Sequence, residues 1–135
     1  MRIERLDHLV LTVADIGATI DFYAGVLGMK PVTFGDDRHA LRFGAGKINL
    51  HRAGAEFEPK ARAATAGSAD LCFVAEPPLT AITADLLRAG VPIEEGPVRR
   101  TGALGPIDSV YVRDPDGNLV EISVYPTDPQ AGAVV

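Results

Sequence analysis

The chain has 135 residues, 47% of them hydrophobic and 23% charged, with a formal net charge of −5. That length can bury a core without disulfide staples, and the acidic balance argues against sequence-independent nucleic-acid binding. No apolar run approaches the ~18 residues that span a bilayer, and Met1-Arg2-Ile3-Glu4-Arg5 lacks the apolar core of a signal peptide. The expectation is a cytoplasmic protein with neither a nucleic acid nor a membrane as partner.

Residues 6–13 read as a strand, with Leu9, Leu11 and Val13 on one face and His8, Val10 and Thr12 on the other. Asp15 is a good N-cap for a helix running to about Leu27, where Ile16, Ile20, Tyr23 and Leu27 recur at helical spacing and Gly28 is a natural stop. Strands follow at residues 30–34 and 39–43, and at 47–51, where Ile48 and Leu50 share one face and Asn49 and His51 the other. Residues 53–67, rich in Ala, charge and Gly, form a linker.

The pattern then restarts. Residues 69–75 read as a strand; its Leu71-Cys-Phe-Val74 run suggests that the single Cys72 is a small core hydrophobe. Pro77-Pro78 opens a helix buried through Leu79, Ile82 and Leu86 and ended by Gly90. Another strand starts at 91–95, and the Gly- and Pro-rich residues 96–107 read as a loop. Strands at 108–113 and 119–125 complete the pattern around the turn Asp114-Pro-Asp-Gly-Asn118. Residues 127–135 have little to bury and read as a frayed tail.

The restart is an internal repeat. His8-Leu-Val-Leu-Thr-Val13 lies over Asp70-Leu-Cys-Phe-Val-Ala75 at a shift of 62 positions, which Gly28 and Gly90 keep; Ile48-Asn-Leu50 lies over Val120-Glu-Ile122 at a shift of 72. Each copy is strand–helix–strand–strand–strand, and the second carries about ten extra residues, assigned to the 96–107 loop. A helix covering one face of each sheet leaves the other open. On those open faces fall His8, Asn49 or His51, Asp70 and Glu121. Imidazole and carboxylate are the usual donors to Zn, Mn, Fe, Co or Ni, and strands hold them rigidly. Arg99, Arg100 and Thr101 fall in the longer loop, where Gly102 and Gly105 could hinge a basic clamp for a carboxylate or phosphate. Tyr111 joins them as a substrate-facing candidate.

Asp7-His-Leu-Val-Leu-Thr-Val-Ala-Asp15, Phe22-Tyr23 with Leu27-Gly28, and Asp114-Pro-Asp-Gly-Asn118 before Glu121 resemble the vicinal oxygen chelate superfamily of glyoxalases, bleomycin resistance proteins and extradiol dioxygenases. Asn49-Leu-His51, Phe57-Glu-Pro-Lys60 and Gly67-Ser-Ala-Asp-Leu-Cys72 look most similar to the glyoxalase-domain-containing protein 5 type. The resemblance implies an α+β fold: paired βαβββ modules, residues 1–55 and 68–126 joined by a 56–67 linker, with a glyoxalase-like cleft between two curved mixed sheets and homodimers. It also implies a divalent metal (Zn, Ni, Mn, Fe or Co) held by His8 and Glu121, with Glu121 also moving a proton. Family register puts a further ligand on Asn49, whereas chemistry favours His51. We expect His51 to bind the metal and Asn49 to face substrate. Asp70 stands where most of the family's enzymes carry His. The implied function is metal-dependent lyase, isomerase or dioxygenase chemistry on a small molecule chelated through its oxygens. The alternative is a resistance-type protein that sequesters a small molecule without chemistry.

Overall fold

The computed structural model describes residues 1–126, so the tail expected at 127–135 lies outside the described residues. Two compact units follow each other along the chain, Met1–Ala69 and the residues from Asp70 on.

In the first unit β1 (His8–Val13), β2 (Lys30–Phe34), β3 (Arg38–Phe43) and β4 (Gly46–Arg52) form one sheet in the order β1-β4-β3-β2. β1 and β4 pair in parallel and the remaining neighbours antiparallel. Between β1 and β2 runs α1 (Ile16–Ile20), continued by a π-helical segment (Asp21–Val26) where an unbroken helix was expected. The Asp15 carboxylate caps α1, accepting from the Ala18 amide at 2.9 Å. The widened turn buries the consecutive rings Phe22 and Tyr23, which meet edge to face at 5.1 Å. Leu11, Val13, Leu41, Ile48 and Leu50 are buried with them. Each such side chain stabilises the fold by roughly 1.5–3 kcal/mol.

The second unit repeats the plan. β5 (Asp70–Val74), α2 (Leu79–Arg88), β6 (Glu95–Gly102), β7 (Gly105–Arg113) and β8 (Leu119–Val124) give a sheet in the order β5-β8-β7-β6. Leu86 of α2 is buried, as are Val110, Val112, Val120, Ile122 and Val124. The Asp114–Asn118 turn is held by the Asp114 carboxylate, whose Oδ1 accepts the amides of Asp116 and Asn118, each at 2.9 Å.

Two expectations fail here, and the first is the strand start at 91–95, since β6 begins only at Glu95. Residues 96–107 are not a loop but most of the β6–β7 hairpin. The extra residues of the second copy lengthen these strands to eight and nine residues, against five and six in β2 and β3. The Gly and Pro residues sit where an edge strand tolerates them: Gly96 and Pro97 at an irregularity between Glu95 and Val98, Gly102 and Gly105 at the hairpin turn. Among the described residues, no helix is long and apolar enough to cross a membrane.

Candidate functional site

Alternation along β8 turns Val120, Ile122 and Val124 into the core and puts Leu119, Glu121 and Ser123 on the other face. Register brings Cys72 of β5 and Tyr111 of β7 opposite Glu121, and Ser109 of β7 opposite Ser123. The half-buried Glu121 carboxylate is gripped through one oxygen: Oε2 accepts from Ser109 Oγ at 2.6 Å and lies 3.3 Å from Ser123 Oγ. The two hydroxyls are 2.6 Å apart and fully buried, and the Cys72 thiol stands 3.3 Å from Ser123. A hydroxyl has one proton to give. With Ser109 donating to Glu121, Ser123 donates to Ser109 and the thiol to Ser123, so the chain of donors ends on the carboxylate. Glu121 has no ion pair with any described residue.

Tyr111 and Arg100 extend this face. Arg100 Nε donates to the Tyr111 hydroxyl at 3.1 Å, and its Nη2 donates to Glu95 at the same distance. Burial pushes the Tyr111 phenol above its ordinary pKa against the Arg100 hydrogen bond, with Glu121 adding to the rise. Burial also raises the Cys72 thiol, and Glu121 adds to it, so the sulfur stays protonated and is a poor nucleophile. Arg99 and Thr101 alternate to the opposite face, where Arg99 Nε meets Asp108 at 2.5 Å. Of the expected basic clamp, Arg100 alone is on the Glu121 face, and a strand rather than a hinged loop carries it. Cys72 corrects a further expectation. It is exposed beside Glu121 rather than in the core, because Leu71 and Phe73 take the inward positions. Asp70 opens β5, exposed, opposite Leu119 and one strand step from Glu121's partner Cys72.

In the first unit His8 opens β1, exposed, with Nδ1 2.9 Å from the Asp7 carboxylate. That contact lets Asp7 orient the ring and leaves Nε2 as the outward nitrogen. Asn49 and His51 occupy the same face of β4 and are buried, 6% and 3% exposed. Asn49 Oδ1 and His51 Nε2 have no hydrogen-bond partner. His8 pairs with Lys47, so Asn49 lies two residues further along the strand and His51 four, about 7 and 13 Å. Register therefore sets Asn49 nearer to His8. His51 instead packs edge-on against Phe57 of the linker at 5.4 Å, and burial, with Arg38 adding, holds its pKa below the ordinary 6.5.

As donors to a divalent ion these residues fit singly: an oriented imidazole at His8, an unpaired half-buried carboxylate at Glu121, an unpartnered amide oxygen at Asn49. Among the described residues, no group of three or more His, Cys, Asp or Glu is arranged to hold a metal. Sequence reasoning missed Ser109 and Ser123. Their signal was the same alternation that placed Glu121: Ser109 precedes the core residue Val110, and Ser123 lies between the core residues Ile122 and Val124.

A family model described as the glyoxalase/bleomycin resistance protein/dioxygenase superfamily matches residues 5–122. The chain belongs to this superfamily. It is 60% identical over 125 residues to virulence protein STM3117 of Salmonella typhimurium, covering 93% of this chain and 87% of that one. It is 54% identical to the glyoxalase domain-containing protein RDO1 of Mycosarcoma maydis, covering 93% and 70%. The crystal structure of the Salmonella protein matches with a TM-score of 0.92 over 93% of this chain and all of that chain. Lactoylglutathione lyase of Agrobacterium tumefaciens, 23% identical over 91% of this chain and 95% of its own, shares the fold with a TM-score of 0.71.

Proposed function

We propose that the protein is a cytoplasmic, homodimeric enzyme that uses a divalent ion (Zn, Ni, Mn, Fe or Co) for lyase, isomerase or dioxygenase chemistry on a small oxygen-chelating substrate. The observation that carries this reading is Glu121. A half-buried carboxylate that accepts from Ser109 and has no cation partner among the described residues carries charge that a bound cation would compensate. When bound, the ion supplies Lewis-acid polarisation of the substrate oxygens. Glu121 and His8 act as ligands, with Ser109 and Ser123 fixing the Glu121 carboxylate and Asp7 fixing the His8 ring. Tyr111 and Arg100 face the substrate. A carboxylate so placed also accepts or returns a proton. Family membership and the separate settings of His8 and Glu121 support this assignment.

Protein purified without chelator should carry stoichiometric divalent metal by elemental analysis. Glu121→Ala and His8→Ala should each lower affinity at least tenfold, since each removes one of few ligands. Wild-type protein that neither contains nor binds these ions would overturn the reading in favour of a non-catalytic binder.

A further inference from the structure

Strand register lines up Lys30 of β2, Arg42 of β3, Lys47 of β4 and His8 of β1 as one row across the open face of the first sheet. Like charges directly opposite one another destabilise a sheet. Lysine on the edge strand β2 also guards against edge pairing, but Arg42 and Lys47 lie on inner strands, where that purpose is absent. Among the described residues, no carboxylate forms a salt bridge with Lys30, Arg42 or Lys47, although the Asp7 carboxylate lies near enough to feel the charge of Lys47. The Lys47 ammonium lies over the Phe34 ring, 4.1 Å from its centroid, and the Arg38 guanidinium over the same ring at 5.1 Å. Phe34, Val32, Arg42 and Lys47 line a recess of about 520 Å³. Asp7 also lines it, but His8 at 2.9 Å and Arg5 at 3.6 Å already engage that carboxylate. One step along the same face from Lys47 is Asn49, its buried amide oxygen without a partner.

We infer that this recess binds the anionic end of a small carboxylic acid with an apolar body. Arg42 and Lys47 take the carboxylate, Val32 and Phe34 take the body, and the row of cations is kept, against its own repulsion, for that ligand. An inorganic anion would satisfy the charges and make no use of Val32, the Phe34 ring being already under Lys47 and Arg38. The inference deepens the enzyme reading only by naming the substrate class, and the binding it describes needs no metal.

The test is calorimetric titration of the full, EDTA-treated chain with benzoate and, separately, with inorganic phosphate. Benzoate should bind at millimolar or lower concentration, more tightly than phosphate. Arg42→Gln and Lys47→Gln should each weaken it at least tenfold, while Arg88→Gln, the same charge change on α2, should leave it unaltered. Without ligand, Arg42→Gln should melt at or above the wild-type temperature, because it relieves the row. No benzoate binding, equal weakening by Arg88→Gln, or phosphate binding as tightly as benzoate would each overturn the proposal. Metal content, measured separately, decides the enzyme reading, so the two can fail independently.

Discussion

On β4 the side chains that alternate with the core are Lys47, Asn49 and His51; on its counterpart β8 they are Leu119, Glu121 and Ser123. The register around them repeats, Val10 opposite Asn49 in one sheet and Cys72 opposite Glu121 in the other. The polar atoms fare differently. Glu121 is supplied with a donor by Ser109, which Ser123 backs in turn, whereas Asn49 Oδ1 and His51 Nε2 have no partner. A group whose partners are built in is held in position. Two buried groups with no partner weaken the fold, and such groups persist where a ligand completes them. The second face is therefore pre-set, and the first carries polar atoms that a ligand of the inferred kind would complete.

Gly96→Ala should break this comparison most severely. Gly96 has φ +106°, and a Cβ there would lie 2.5 Å from the Ser109 carbonyl oxygen and 3.0 Å from Val110 Cα. Strained backbone and a displaced β7 should together cost ~3 kcal/mol and move Ser109 away from Glu121. Gly28→Ala is the control: φ is +77°, but nothing lies within 4 Å of the added carbon, so only the backbone term of ~1 kcal/mol applies. Thermal melts of the two should differ clearly, and equal melting temperatures would show that the β6–β7 packing does not hold the second face.

The donor chain itself can be measured by a double-mutant cycle on Ser109→Ala and Glu121→Ala in urea denaturation. A short hydrogen bond to a charged carboxylate should give a coupling of about 1.5 kcal/mol. Asn49→Leu on the first face should be neutral or stabilising without ligand, because it removes an acceptor that nothing satisfies. Zero coupling on the second face, or a large loss from Asn49→Leu, would erase the distinction.

Much of this arrangement was legible from alternation. The shifts of 62 and 72 positions that align the two copies reappear as strand pairing, since Lys47 partners His8 and Leu119 partners Asp70. Asp15 as cap and Gly28 as stop were visible because local chemistry decides them. The hairpin at 96–107 was not, because Gly and Pro punctuate both loops and irregular edge strands, and only pairing with β7 separates the two. Cys72 was misplaced by reading an apolar run where the period of two, with Asp70 on its face, pointed outward. The donor to Glu121, Ser109, comes from 12 positions away on β7, and no local pattern encodes that contact.

The smallest effect expected is the pH response of the first face. All three histidines, His8, His39 and His51, lie in the first unit. Burial, with the positive Arg38 adding, lowers the His51 pKa below 6.5, partly opposed by Glu56. The unfolded imidazole therefore takes up a proton at a higher pH than the folded one does. Stability from this residue is fully present above about pH 6.5, declines as the pH falls toward the lowered value, and levels off below it. His51→Gln should remove that slope while leaving the carboxylate-driven loss at lower pH intact, so the difference between the two denaturation profiles isolates His51. A ligand that gives Nε2 a hydrogen bond binds the neutral ring and should steepen the wild-type slope. Identical profiles with and without His51 would mean that water reaches the ring, and the contrast between a supplied and an unsupplied face would then rest on Asn49 alone.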